Sequence, residues 1–216
     1  MVYSSKSSPR VERKRLQKQD KILDCAMVLV AEGGLEGVTI QAIADAMDLT
    51  VGALYRYFPS KSGILGALTR RTLNELAAAL MSVTSEEQES IDNLLRIAHM
   101  HVEFSRAKPA HFLLISQMMT SPRIVLPPSE RQVAMEPAFK LIAFIESQFV
   151  AAQAEKQIKD GDARAYALMF WSSIQGALQL DKLARLDPGE MHRDHLPTRI
   201  AEDLLATWRV ENKPTK

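Results

Sequence analysis

The stretch Thr39–Lys61, TIQAIADAMDLTVGALYRYFPSK, decides the fold of this chain. Its first half carries apolar residues at the i, i+3, i+4 and i+7 positions of one buried helix face: Ile40, Ile43, Ala44 and Met47. Thr39 and Thr50 each stand directly before a helical segment, where a side-chain hydroxyl can accept a first-turn amide. Pro59 ends the second segment. Two short helices joined by so tight a turn indicate a helix-turn-helix.

The second helix, predicted over 50–58, has two unlike faces. Leu54 and Phe58 fall on one side and continue the apolar interior. The opposite face has no acidic residue; it is formed by Val51, Gly52, Tyr55 and Arg56, with Tyr57 on its flank. A hydroxyl-bearing aromatic ring, a guanidinium group and exposed glycine backbone suit the major groove of DNA.

These residues carry a family resemblance. The run I-A-x-x-x-x-L-T-x-G-x-L-Y-x-Y-F-x-x-K, from Ile43 to Lys61, resembles the signature of tetracycline-repressor-like (TetR-family) transcriptional regulators. The preceding run LVAEGGLEGVT, Leu29–Thr39, resembles the end of that family's first helix and the chain leading into the second. The sequence departs from the family pattern at Met47, Asp48 and Gly63. We expect Asp48 to take a left-handed backbone conformation, which Asp tolerates at a cost of ~1 kcal/mol or less.

The resemblance covers residues 15–65 and implies a homodimeric regulator that binds double-stranded DNA without a cofactor. We expect four residues to face base edges: Val51, Gly52, Tyr55 and Arg56. We expect five to hold phosphates: Thr39, Gln41, Thr50, Tyr57 and Lys61. The family further implies that a small molecule bound in the core shifts the helix that follows Ser60. The two recognition helices then no longer match both half-sites of a palindrome.

Charge is concentrated at the N-terminus, although the whole chain has a net charge of only +1. Residues 1–21 carry two acidic residues and seven basic ones: Lys6, Arg10, Arg13, Lys14, Arg15, Lys18 and Lys21. A basic arm before a helix-turn-helix is where phosphate or minor-groove contacts are made. A solvated, disordered tail is an equal alternative for residues 1–10.

The only cysteine is Cys25, so an intrachain disulfide is impossible. It lies among apolar positions of the first helix, and we expect it to be buried and inert. The N-terminus lacks the apolar segment of a signal peptide, and the longest uncharged run, Ala165–Leu180, is too short and too polar to span a membrane. We therefore expect a cytoplasmic protein.

The rest of the chain is helical by periodicity, and we predict an all-α protein of about nine helices. Further helices are predicted after Ser60, from Ser85 to Ala107, and over 110–119, 129–157, 163–185 and 198–209. The segments SPRIVLPP and LDPGEMHRDHLP are predicted loops. The predicted domains are a tail (1–10), a helix-turn-helix domain (11–61), a ligand-binding and dimerisation domain (62–210) and a second tail (211–216).

The middle of the chain is rich in methionine and aromatic residues, which suits an adaptable apolar pocket. Plain core is the alternative for any one of them, and the family resemblance favours a pocket for the set. The candidate ligand-binding residues are Met100, Phe104, Met118, Phe139, Phe144, Trp171 and Gln175. Conceivable polar anchors besides Gln175 are His99, His101 and His111.

Two helices near the C-terminus carry more apolar surface than a monomer needs. The helix over 163–185 is apolar over most of its circumference, and the last helix adds a second stripe. Pairing both across a two-fold axis gives the four-helix interface usual in the family that the chain resembles. The candidate interface residues are Phe170, Ile174, Ala177, Leu178, Leu204 and Trp208. Closure of a monomeric core is the alternative.

Catalytic and metal sites find little support. His192 and His195 have i, i+3 spacing but lie in a proline-bounded loop with no carboxylate or cysteine set to complete a zinc site. No phosphate-cradling loop or nucleophile motif is present, so we expect neither an enzyme nor a metal. The leading hypothesis is a repressor released from DNA by a small hydrophobic or aromatic ligand. The alternatives are a DNA-binding dimer without an effector and a protein-interaction module.

Overall fold

A computed structural model describes residues 8–120, 126–184 and 196–210, and within these ranges the fold is all-α. The helices there are α1 (Pro9–Gly37), α2 (Ile40–Ala46), α3 (Val51–Tyr55), α4 (Lys61–Met81), α5 (Ser90–Ala107), α6 (Pro109–Thr120), α7 (Pro128–Ala154), α8 (Ala163–Ala184) and α9 (Leu196–Trp208). In the same ranges the only strand-like pairing is an isolated antiparallel bridge between Ile158 and Arg209. The predicted all-α class and helix number are confirmed.

The sequence predicts a first helix over 11–32, ended by the pair Gly33-Gly34, and α1 is longer than this at both ends. It begins at Pro9 because proline at the first helical position has its backbone angle preset, and the amides of Val11 and Glu12 bond to the Ser8 carbonyl. At its other end the helix continues past the predicted stop, with a kink at Gly34 (φ 64°, ψ −164°). Only glycine adopts this conformation readily, so the glycine pair bends α1 instead of ending it.

α5 starts at Ser90, five residues after the predicted start at Ser85. The backbone N–H and hydroxyl of Ser90 donate to the Glu155 carboxylate at 3.1 and 2.8 Å, and the Ile91 N–H donates to Gln157 Oε1 at 3.0 Å. These distant side chains satisfy the first-turn amides of a helix that begins at Ser90. Ser85 instead exchanges two hydrogen bonds with the Asn93 side chain.

The chain divides into two compact units. The first takes the described residues up to Thr72 and those over Pro109–Met135. Its core joins α1, α2 and α3 to the start of α4 and to α6 through fully buried side chains, among them Ile22, Val30, Ile43, Leu54, Ile64 and Leu114. The helix-turn-helix is thus part of a larger packed body, which fixes its geometry.

The second unit takes the described residues over Leu73–Lys108 and from Glu136 onward. Phe149 lies at the centre of its aromatic cluster, with ring centroids 5.8 Å from Phe170 and 5.6 Å from Trp208, both edge-to-face. Tyr166 stacks on Trp208 at 4.7 Å. Edge-to-face and offset pairs of this kind add packing energy beyond the area they bury.

Several predicted segments lie outside the described residues. They are the first seven residues, most of the loop SPRIVLPP, the loop that holds His192 and His195, and the C-terminal tail. Over the ranges that are described, no helix is both long and apolar enough to cross a membrane. No three His, Cys, Asp or Glu side chains in these ranges come together as metal ligands.

Candidate nucleic-acid interface

Both threonines predicted as helix caps cap their helices. The Ala42 N–H donates to Thr39 Oγ1 at 3.0 Å, and the Ala53 N–H donates to Thr50 Oγ1 at 3.1 Å. Each bond satisfies an amide that has no partner inside its own helix. The two caps fix where α2 and α3 begin.

The turn between α2 and α3 depends on Asp48. Its backbone has φ 52°, the left-handed conformation that the sequence predicted for this position. The Leu49 N–H donates to the Ala44 carbonyl at 2.9 Å and closes the end of α2. The chain therefore reverses within four residues, and the first turn of α3 follows at once.

α3 is shorter than predicted, since it ends at Tyr55 and not near Phe58. The N–H groups of Tyr57 and Phe58 both donate to the Leu54 carbonyl, at 2.9 and 3.1 Å, so the chain tightens into a final turn after Tyr55. Pro59 therefore limits how far α3 could extend, but it does not determine the residue at which α3 ends. Leu54 and Phe58 are buried as predicted.

The outer face of α3 is open to solvent at three of its four predicted positions. Tyr55 is 46% exposed, and Arg56 and Gly52 are exposed beside it. A side chain built on Gly52 would meet nothing within 4 Å, so packing does not require glycine there. Val51 differs from the expectation, because it is half-buried and packs against the core of the first unit. Of the residues predicted to face base edges, Tyr55, Arg56 and Gly52 therefore form the exposed face, and Val51 supports it from the core side.

The predicted phosphate-holding residues other than the two capping threonines lie on α2, directly after α3 and at the start of α4. Gln41 is exposed, and its Nε2 donates to Asp45 Oδ1 at 2.7 Å. Lys61 is half-buried as the first residue of α4, whose first turn is capped by a hydrogen bond of 2.9 Å from the Gly63 N–H to Ser60 Oγ. Tyr57 is half-buried against the core. Their contacts with phosphate remain predictions.

Six of the seven N-terminal basic residues lie on α1, so most of the predicted arm is helical. Arg13, Lys14 and Lys21 are exposed, whereas Ile22 and Ala26 of the same helix are fully buried. A helix that is anchored in the core and carries exposed cations offers phosphates a rigid basic surface.

Two glutamines that the sequence did not single out bind the helix-turn-helix. Gln19 Nε2 donates to the Tyr57 carbonyl at 3.0 Å. Gln117 Oε1 accepts the Leu35 N–H at 3.3 Å across 82 residues of sequence. No local pattern signals a side-chain contact with backbone so far along the chain.

The predicted ligand-binding residues do not form one group. Met118 packs against the core of the first unit. Phe139, in the second unit, is 60% exposed. In the second unit Phe104, Trp171 and Gln175 are buried and Met100 is half-buried, while Phe144 borders a surface groove of about 490 Å³. A methionine-rich composition cannot distinguish these environments.

His101 is the polar anchor candidate that the structure places deepest. It is 1% exposed, and its ring stacks on that of Trp171 with centroids 4.3 Å apart. Burial lowers the pKa of His101 from 6.5 to about 4, against a smaller opposing effect of the Gln175 amide. The imidazole is therefore neutral at physiological pH. Cys25, by contrast, is half-buried, and its pKa is raised by burial and by Glu32, which leaves it an unreactive thiol.

Five of the residues predicted for the dimer interface are buried inside the protomer, which leaves them little surface to offer a partner. They are between 0% and 9% exposed: Phe170, Ile174, Ala177, Leu178 and Trp208. Leu204 is half-buried. The solvent-facing side of α8 is instead an outer stripe formed by Leu168, Met169, Ser172, Gly176 and Leu180. Its three large apolar residues are 43–51% exposed.

Comparison with known proteins agrees with this geometry. Residues 22–68 match the family model described as bacterial regulatory proteins, tetR family. The chain is 27% identical over 148 residues to the nucleoid occlusion factor SlmA of Haemophilus ducreyi, which covers 68% of this chain and 70% of that protein. It is 40% identical over 62 residues to the HTH-type transcriptional repressor KstR of Mycobacterium tuberculosis, which covers 29% of this chain and 28% of that protein.

The fold also matches solved structures. A transcriptional regulator of Saccharomonospora viridis, solved in complex with choline, aligns with a TM-score of 0.74 at 19% identity. The alignment covers 91% of this chain and 99% of that one. At this identity the likeness concerns the fold.

Proposed function

Because the chain belongs to the tetR family of DNA-binding transcriptional regulators, we propose that it represses transcription in the cytoplasm by binding a palindromic operator as a homodimer. The observation that carries this proposal is the exposed face of α3. Gly52 and Tyr55 of α3 and the adjoining Arg56 face solvent, while Leu54 and, after the helix, Phe58 anchor the segment in the core. A rigid helix with an exposed hydroxyl and guanidinium can place donors against base edges.

Dimerisation is supported by the outer stripe of α8. Leu168, Ser172, Gly176 and Leu180 follow each other at four-residue spacing on the exposed side of the helix. A side chain on Gly176 would meet no atom within 4 Å, so a partner helix can approach the backbone closely there. We propose that a second copy covers this stripe across a two-fold axis. Paired recognition helices about 34 Å apart then meet two half-sites of a palindrome.

Release by a small molecule is the second part of the proposal. The structurally similar Saccharomonospora viridis regulator holds choline, so the fold accommodates small ligands. The buried His101 and Trp171 pair offers this chain a neutral, aromatic environment for a hydrophobic or aromatic effector. α4 belongs to both units, as α7 does, and offers a covalent route between effector and DNA. A coupling of ~1–3 kcal/mol would weaken operator binding by ~5–150-fold.

The alternative is a DNA-binding dimer that acts without a small-molecule effector. It is favoured by the match to SlmA, which extends well beyond the helix-turn-helix, whereas the match to KstR is confined to 62 residues. Thermal melts in the presence of hydrophobic and aromatic compounds, with choline included, separate the two. A compound that raises the Tm and lowers DNA affinity supports the effector model, and a library without effect supports the alternative.

The DNA-binding proposal is tested by selecting bound duplexes from a random pool. We expect an inverted repeat, which reports the half-site and the two-fold symmetry together. Tyr55→Ala serves as the control, because this half-exposed side chain contributes little to the core. Enrichment of no sequence, or the same enrichment by Tyr55→Ala, would count against the proposal.

A further inference from the structure

Two glutamine side chains hold opposite ends of the helix-turn-helix, and both lie outside the segment 22–68 that matches the family model. Gln117, on α6, binds the backbone just before α2. Gln19, on α1, binds the backbone just after α3. All the atoms involved belong to the first unit, so these contacts are internal to one packed body.

The contact of Gln117 follows from the kink in α1. At Gly34 the backbone leaves the helical conformation, so the Leu35 N–H loses the carbonyl that a continuous helix would offer. Gln117 Oε1 accepts this N–H at 3.3 Å, and Leu35 is only 4% exposed. The Gln117 amide also lies over Gly34, since a Cβ built there would be 3.7 Å from its Oε1 and Nε2. Gln117 therefore secures the bend that directs the chain into α2.

The contact of Gln19 secures the other end. α3 has only five residues, too few for a helix to hold its shape without tertiary contacts. After it, the Tyr57 carbonyl faces a chain that turns at Pro59, and Gln19 Nε2 donates to this carbonyl at 3.0 Å. The bond joins the end of the recognition helix to α1, whose Ile22 and Ala26 are fully buried. The orientation of Tyr55 and Arg56 depends on this junction.

We propose that Gln19 and Gln117 are positioning residues for DNA recognition, which together hold the segment 35–57 in the orientation that fits the operator. The inference rests on the proposed DNA-binding function and extends it to two residues that need not touch DNA. A variant that loses either bond holds the segment in the binding-competent orientation for a smaller fraction of the time. Its apparent affinity for the operator falls in proportion to that fraction.

Gln117 accepts its hydrogen bond and Gln19 donates its own, so different substitutions test the two bonds separately. Gln117 acts through its carbonyl oxygen as an acceptor, so a glutamate can replace it and accept the Leu35 N–H. Gln19 acts through its amide nitrogen as a donor, so a glutamate there would face the Tyr57 carbonyl with a carboxylate that cannot donate. Methionine has a similar length and replaces neither bond.

The experiment measures the affinity of each variant for the duplex selected by the wild-type protein and for a random-sequence duplex of equal length. Gln117→Met and Gln19→Met should each weaken binding to the selected duplex by about 3- to 10-fold, the range expected for one lost hydrogen bond. Gln117→Glu should stay within about 2-fold of wild type, and Gln19→Glu should lose about 10-fold or more. Affinity for the random duplex should change much less. The ratio of the affinity for the selected duplex to that for the random duplex should therefore fall.

The matched control is Gln132→Glu, which adds the same charge at an exposed position of α7 in the same unit. Thermal melts accompany every measurement, and binding is compared at a temperature where all variants are folded. If Gln19→Glu does not fold, Gln19→Met carries the test at that position.

Four results would overturn the inference. The first is equal behaviour of Gln117→Glu and Gln117→Met. The second is a loss of Tm in the methionine variants with wild-type affinity and specificity, which is the signature of a merely structural role. The third is failure of the wild-type protein to enrich any sequence, which would remove the proposed function and the positioning role with it. Wild-type enrichment with unaltered variants refutes the positioning role alone.

Discussion

His101 should make the stability of this protein depend on pH between about 6.5 and 4, the ordinary and the folded-state pKa values. The imidazole is 1% exposed and stacked on Trp171, and burial keeps it neutral in the folded state. When the chain unfolds, the same ring takes up a proton at its ordinary pKa. Because burial lowers the pKa of this imidazole in the folded state, the unfolded state binds the proton more readily. Protonation therefore favours unfolding as the pH falls through this window.

The size of the effect follows from the two pKa values. Stability is fully present above pH 6.5, declines below it, and reaches its full loss near pH 4. The complete loss is about 3 kcal/mol, and about 2 kcal/mol of it has occurred by pH 5. His101→Phe keeps an aromatic ring against Trp171 and removes the titration. The wild type should therefore lose about 2 kcal/mol more than this variant between pH 7.5 and pH 5.

Urea unfolding followed by tryptophan fluorescence at both pH values measures this difference. The matched control is His99→Gln, because His99 lies two residues away on α5 but is exposed. It should keep the pH dependence of the wild type. Parallel losses of stability in the wild type and His101→Phe would refute the account of a buried neutral imidazole.

Three further predictions concern the caps, the recognition face and the dimer. Tyr55→Ala should abolish binding to the selected duplex in a mobility-shift assay and leave the melt nearly unchanged, since the side chain is 46% exposed; retained binding contradicts the recognition face. Thr50→Ala should lower the free energy of unfolding by about 1 kcal/mol. Thr50→Ser should restore it, and equal urea curves for the two variants would argue against the cap. Gly176→Arg should turn a dimer into a folded monomer in sedimentation, whereas Phe170→Ala should cost about 3–5 kcal/mol of stability because it empties the core. A dimeric Gly176→Arg protein would disprove the proposed interface.

The helix-turn-helix could be predicted because its signals are local. A threonine hydroxyl reaches an amide three residues on, and Asp48 needs only its own backbone to form the turn. The end of α3 was less predictable, since Pro59 forbids a longer helix but does not require one that reaches it. The tightening after Tyr55 depends on bonds to the Leu54 carbonyl that no residue type signals.

The exposed side of α8 could not be predicted from the sequence, for a different reason. A helix that is apolar over most of its circumference does not reveal which side its own chain covers. On α8 the covered side includes Phe170 and Ile174, and the open side includes Leu168 and Leu180. Gln117 was missed because its partner is 82 residues away, and a single glutamine in an apolar helix carries no pattern.

The most direct test of the recognition face places a photoreactive benzophenone side chain at position 55 and irradiates the complex with the selected duplex. The account predicts covalent attachment to a base within each half-site, at positions related by the two-fold axis. The same group placed at position 168, on the outer stripe of α8, should attach to the second copy of the protein and not to DNA. Attachment to DNA from position 168, with none from position 55, would contradict the claim that α3 reads the operator.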